Sequence, residues 1–258
     1  MLLKAIPASS KDLFIATVTF FAIALCLYLD SFHDLGLQHA LGKCGWVVLI
    51  GLLIWESNLV RLQVLIAVMF ATAGEHFASG LMKGYIYHFH NLPAYIPPGH
   101  GMVYLTAVAL ARSPLFQLLQ RPITWGVLGV MGLWSLWGVT LADRGDWIGM
   151  ILFLVYVPCV LWWGRAPLVY LAAFFVTTHL ELIGTALKTW TWVPLDPILS
   201  LPQGNPPSGV AAWYCMVDAV ALGGATWLIA QWQKLRTLPA RIRSVVAPPE
   251  WVRVAAED

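Results

Sequence analysis

Ionisable residues are scarce in this chain, so the few set inside apolar runs carry most of the chemical information. Two stretches hold the majority: Gly74–Tyr104, GEHFASGLMKGYIYHFHNLPAYIPPGHGMVY, and Thr178–Tyr214, THLELIGTALKTWTWVPLDPILSLPQGNPPSGVAAWY. Glu75, His76, His179 and Glu181 are the candidate acid–base groups. Asp218, well inside the last apolar run, is a third acid of the same kind. A carboxyl withdrawn from water can deliver a proton as a general acid, and a nearby imidazole can take it back. Around these groups stand the candidate substrate-binding residues Lys83, Tyr85, Tyr87, His100, Lys188, Trp190, Trp192 and Asn205. Electron-rich ring faces such as these can stabilise a developing cation by about 0.5–2 kcal/mol each.

The two stretches read as copies of one design. His76 aligns with Glu181, Lys83 with Lys188, Tyr85 with Trp190 and Tyr87 with Trp192, and Pro97-Pro98 then aligns with Pro206-Pro207. At α-helical spacing His76, Gly80 and Lys83 form one stripe, and Glu181, Thr185 and Lys188 form its counterpart. A polar stripe facing lipid is costly, so both are expected to face a shared interior. The alternating aromatics after each lysine predict short extended segments with the rings on one side. The second copy lacks histidines matching His88, His90 and His100. His88 and His90 are two apart, with no HxxxH or HExxH pair, so no metal ligand set is assigned. No Walker loop, dinucleotide fingerprint or nucleophile elbow occurs, and no cofactor is identified.

Long apolar elements must position these residues. The 258 residues are 59% hydrophobic and 11% charged, against about 25% charged in soluble domains. The fold class read from this is an all-α, polytopic transmembrane helix bundle of about eight spans. The spans are Leu13–Leu29, Cys44–Asn58, Leu62–Lys83, Gly99–Leu119, Ile123–Ala142, Trp147–Trp163, Ala166–Lys188 and Gly209–Trp232. Merging the second and third would give seven, at the cost of a helix of about 60 Å. Residues 1–121 and 122–233 are then two four-span repeats in the same orientation, followed by a cytoplasmic tail, 234–258. Fourteen tryptophans, many at the ends of apolar runs, fit interfacial belts. Eleven of the fifteen basic residues fall on one side, which places both termini in the cytoplasm and the chain in the cell (inner) membrane. The four scattered cysteines form no CxxC pair. The expected partners are the bilayer and a lipophilic small molecule, with nothing pointing to nucleic acid.

The pattern of an acid inside the membrane, small residues, an aromatic-x-aromatic pair and a Pro-led helix resembles integral-membrane carotenoid-biosynthesis proteins, the hydratase and lycopene-cyclase-like group. It covers Glu75 to Tyr87 and Glu181 to Trp192. Where the cyclase-like members carry a Pro-x-Glu-Glu segment, this chain has Pro97-Pro98-Gly99-His100 and Pro206-Pro207-Ser208-Gly209. The resemblance implies a cofactor-independent enzyme, a lyase or isomerase, doing acid–base chemistry on an isoprenoid or other lipid. Two other classes fit the same residues: a transporter or ion-binding protein with its site between the repeats, and a membrane metal or haem protein.

Overall fold

The computed structural model describes residues 10–163 and 166–236. It is nearly all helix: α1 (Ser10–Asp30), α2 (Leu35–Leu53), α3 (Asn58–Glu75), α4 (Ile96–Ala111), α5 (Pro114–Leu118), α6 (Gln120–Thr140), α7 (Trp147–Pro158), α8 (Pro167–Ala186) and α9 (Ala211–Arg236). α3 continues into a π-helical segment, His76–Leu81, and α7 into another, Cys159–Trp163. Six helices are long and apolar enough to cross a membrane: Ser10–Asp30, Leu35–Leu53, Asn58–Leu81, Gln120–Thr140, Pro167–Ala186 and Ala211–Lys234. Large apolar side chains such as Phe21, Leu81, Leu133 and Trp162 lie open on the outside of the bundle. That is the surface of a protein whose surroundings are themselves apolar.

Several boundaries differ from the sequence reading, each for a local reason. The second helix begins at Leu35 rather than Cys44, because the Asp34 side chain caps it by accepting from Leu37 N at 3.0 Å. Gln38 lies buried inside it, bonded to Asp30. α2 and α3 are separate helices, which removes the merged seven-span arrangement. Ser57 caps α3, and Arg61 donates to the carbonyls of Leu53 and Ile54 at 3.0 and 2.8 Å, closing the turn. The fourth helix stops at Ala111 instead of Leu119. Ser113, the residue before Pro114, takes an extended ψ of 129°, as the proline ring demands. Of the expected tail, residues 237–258 lie outside the described residues.

The short helix α4 sits at the centre, packed against α8, α3 and α1. It is buried without a break from His100 to Ala107. Gly101 lets it approach this closely, since a Cβ there would stand 2.6 Å from Leu49 and 2.9 Å from Val68. One apolar core joins α1, α2, α3, α4 and α9, and a second joins α6, α7, α8 and α9. A third, around Tyr85, Tyr87, Trp190 and Trp192, lies at the end where the two motif loops meet.

At that end the loops form a two-stranded antiparallel sheet, β1 (Tyr85–Tyr87) against β2 (Trp190–Trp192). The register pairs Tyr85 with Trp192, Ile86 with Thr191 and Tyr87 with Trp190. Flanking bonds from His88 N to Thr189 O and from Val193 N to Gly84 O make the aromatic pairs the non-hydrogen-bonded ones, whose side chains stand closer. The opposite end of the bundle is tied by Arg112. It reaches Asp12 through Nε at 2.6 Å and Glu56 through Nη1 at 2.8 Å, while Lys11 stands 3.3 Å from Glu56.

Candidate functional site

The aromatic-x-aromatic alternation puts all four rings on the buried face of the strand pair, with Ile86 and Thr191 outward. Each strand presents its rings to the acid of its own stretch. Glu75 Oε2 accepts from the hydroxyl of Tyr85 and, at 2.9 Å, from that of Tyr87. Glu181 Oε2 accepts from the indole N–H groups of Trp190 at 3.0 Å and Trp192 at 3.1 Å. Tyr85 and Trp192 rings are 4.6 Å apart and Tyr87 and Trp190 rings 6.0 Å, so the two acid cages share a wall. Burial, followed by the charge of Glu75, pushes the Tyr85 and Tyr87 hydroxyls well above their ordinary range, so both remain donors.

These contacts change the alignment of the two stretches. By geometry Glu75, not His76, is the counterpart of Glu181. The acid precedes its two aromatics by 10 and 12 residues in the first stretch and by 9 and 11 in the second. The π-helical segment His76–Leu81 takes up the additional residue. Ungapped alignment paired His76 with Glu181 because it could not register that insertion.

The expected stripe on the third helix is therefore absent as a buried feature: His76, Gly80 and Lys83 are all exposed. On α8, Glu181 and Thr185 are buried but Lys188 is exposed. Lys83 and Lys188 have φ of 56° and 58°, the left-handed conformation that ends a helix. The backbone closes around them through Gly84 N to Ala78 O at 2.9 Å and Thr189 N to Gly184 O at 2.9 Å. In the structure both lysines are helix stops.

His100, the fifth residue of α4, completes the Glu75 cluster. Its Nε2 stands 3.5 Å from Glu75 Oε1, and its Nδ1 is 3.1 Å from the Tyr214 hydroxyl on α9. Asn205 accepts from the backbone N–H of Trp192 at 2.9 Å, on the side of β2 away from β1. His179 turns toward α1, 3.1 Å from the carbonyl of Phe20 and edge-on to its ring. Asp218 lies deeper, fully buried on α9.

Several residues that hold this site were not singled out from sequence. Arg144 donates to the carbonyls of Gln203 at 2.6 Å, Trp192 at 2.7 Å and Val193, fixing the second loop. Asp146 accepts from the backbone of Gly149, Gly204 and Ser208. In the first half Asp30 accepts from Gln38 and from Tyr95, each within 3.0 Å. Their signal was position: each polar residue ends a span on the side where the motif loops emerge. Tyr214 had a clearer signal, lying four residues before Asp218 on one helix face.

Among the described residues, no three His, Cys, Asp or Glu side chains converge in a way that could hold a metal ion. No family model matches this chain, and no curated protein or solved structure matches it either.

Proposed function

We propose that the chain is a multi-pass membrane protein of eight spans, in two four-span halves of the same orientation. Both termini are cytoplasmic and the strand pair lies at the outer side. We further propose that it is an intramembrane enzyme doing acid–base chemistry on an isoprenoid or another lipid, as the resemblance to the carotenoid-biosynthesis group implies. Glu75 is the proton donor, His100 its exchange partner, and Tyr85, Tyr87, Trp190 and Trp192 the cation-stabilising wall.

The observation that carries this reading is Glu75 itself. It is a carboxyl with two phenol donors and an imidazole, yet 16% of its side chain remains accessible. Its neighbours along the helix, Gly74, Phe77 and Leu81, are exposed. Beyond Gly74 and Gly80 a Cβ would meet nothing within 4 Å. An opening among apolar side chains suits a substrate arriving sideways from the membrane. Protonating a polyene double bond there creates a carbocation, which the ring faces stabilise in the absence of water.

The test is expression of the wild type and of Glu75→Gln in a host supplied with isoprenoid precursors, followed by membrane lipid profiling. The expected result is a new lipid product with the wild type and at least a hundredfold less with Glu75→Gln. Identical profiles with and without the wild-type protein would remove the enzyme reading.

A further inference from the structure

The proposed chemistry leaves one buried acid unused. Asp218 is fully enclosed, and neither carboxyl oxygen has a hydrogen-bond partner. Tyr104 on α4 is equally enclosed and its hydroxyl is likewise unpartnered. No hydrogen bond joins the two. The other titratable groups around Asp218 are Tyr156 from α7 and Tyr214 and Cys215 from α9, with Tyr170 of α8 beside Tyr104. None supplies a positive charge. A carboxylate enclosed without a counter-charge is strongly disfavoured, so the group is neutralised in place by a proton or by a cation.

Placement decides between the two. His100 and Tyr104 lie at i and i+4 on α4, and Tyr214 and Asp218 at i and i+4 on α9. His100 meets Tyr214 at 3.1 Å, and Tyr104 and Asp218 each lie one turn further along their helices on the same stripes. Glu75 stands at the head of the column, 3.5 Å from His100. A bound metal cation would need a shell of oxygen ligands. The core around Tyr104 is instead built from Leu105, Val217 and Ala221.

We propose that Asp218, with Tyr104, stores a proton that reaches Glu75 through Tyr214 and His100. This role rests on the reading of Glu75 as proton donor. The three unpartnered oxygens, two on Asp218 and one on Tyr104, suit one bridging water. The proton leaves Asp218 through that water for the Tyr214 oxygen. The phenol passes its own proton to His100 Nδ1, and the imidazole passes its Nε2 proton to Glu75 Oε1. Tyr214 ends as a phenol and His100 as a neutral imidazole whose proton has moved from Nε2 to Nδ1. Asp218 is left ionised and Glu75 protonated only until the path runs in reverse, which restores both acids and the first tautomer.

Infrared difference spectroscopy of the full-length protein in lipid nanodiscs, exchanged from H2O into D2O, tests this without substrate. A protonated-carboxyl band that disappears in Asp218→Asn and shifts in Tyr104→Phe is expected. Its deuterium exchange should slow at least tenfold in Tyr214→Phe. Thermal unfolding of each variant checks that it is folded; if Asp218→Asn is not, the two tyrosine variants carry the test. The proposal is overturned by the absence of such a band or by unchanged exchange in Tyr214→Phe. Thermal stabilisation by Na+ that is lost in Asp218→Asn would also overturn it, since a cation would then be the neutralising partner. An intact band with slowed exchange, alongside lipids unchanged by Glu75→Gln, would remove the enzyme reading and leave the column standing.

Discussion

Glu75 and Glu181 are held by different donors, and the difference sorts their roles. Phenols donate and accept, so Tyr85 and Tyr87 can follow a change of charge on Glu75. Indole N–H groups only donate, so Trp190 and Trp192 fix Glu181 without exchanging protons with it. Trp192→Phe removes one of the two donors to a buried carboxyl. It should cost about 1.5–3 kcal/mol in denaturant unfolding and leave the pH dependence of lipid conversion unchanged. Tyr87→Phe should behave in the opposite way, altering the pH profile of conversion with a smaller loss of stability. A displaced pH profile in Trp192→Phe would show that Glu181, not Glu75, exchanges the proton.

The two stretches reach the same geometry by different helix ends. In α3 the π-helical segment delivers Tyr85 and Tyr87 to Glu75; in α8 the helix stays regular and Gly184 makes the room. A Cβ at Gly184 would stand 2.0 to 2.4 Å from the Trp190 ring. Gly184→Ala should therefore displace that indole, lower stability by about 1–3 kcal/mol, and weaken the hold on Glu181. Gly80→Ala, with nothing within 4 Å of the new methyl, is the matched control and should fold normally. The lysine stops make a separate prediction. Lys188→Gly at φ 58° relieves about 1 kcal/mol of left-handed strain, so its thermal midpoint should rise with activity retained. Loss of activity in that variant would return Lys188 to the substrate-binding set.

The whole molecule is held at its two ends by unlike devices: the strand pair at one, an ion cluster at the other. Burial alone would raise Glu56, but the bond and charge of Arg112 outweigh it, with Lys11 adding to them. The carboxyl is thereby held below its ordinary 4.5. The stabilisation is fully present above that value and is lost as pH falls through the lower folded-state value. Thermal stability should drop on acidification below about pH 4.5, and Glu56→Gln should flatten part of that drop while lowering stability at neutral pH. Arg112→Ala takes the guanidinium from two buried carboxylates, leaving Glu56 with Lys11 alone, and should cost about 3–5 kcal/mol. Topology is tested by cysteine labelling in cells, on a background without the native cysteines. Leu199→Cys, in the loop after β2, should react with an impermeant maleimide from outside, and Gln120→Cys, at the start of α6, only after the membrane is opened. The reverse pattern would invert the proposed orientation.

Hydropathy alone determined the class of this chain, because apolar length and scarce charge are properties summed over many residues. The periodicity of the aromatics likewise gave the strands their buried and exposed faces, since alternation follows directly from strand geometry. What hydropathy could not locate were helix ends set by single contacts, such as Asp34 before α2 or Ser113 before Pro114. The residues rich in signal by type were also the least decided: His76, Lys83 and Lys188 are exposed, whereas Tyr214 and Arg144, unremarked in sequence, touch the site. Only the tertiary structure decided that Glu75 is the partner of Glu181. One inserted residue is invisible in composition, but it rotates everything after it around the helix axis, and the π-helical segment reverses that rotation before the first tyrosine.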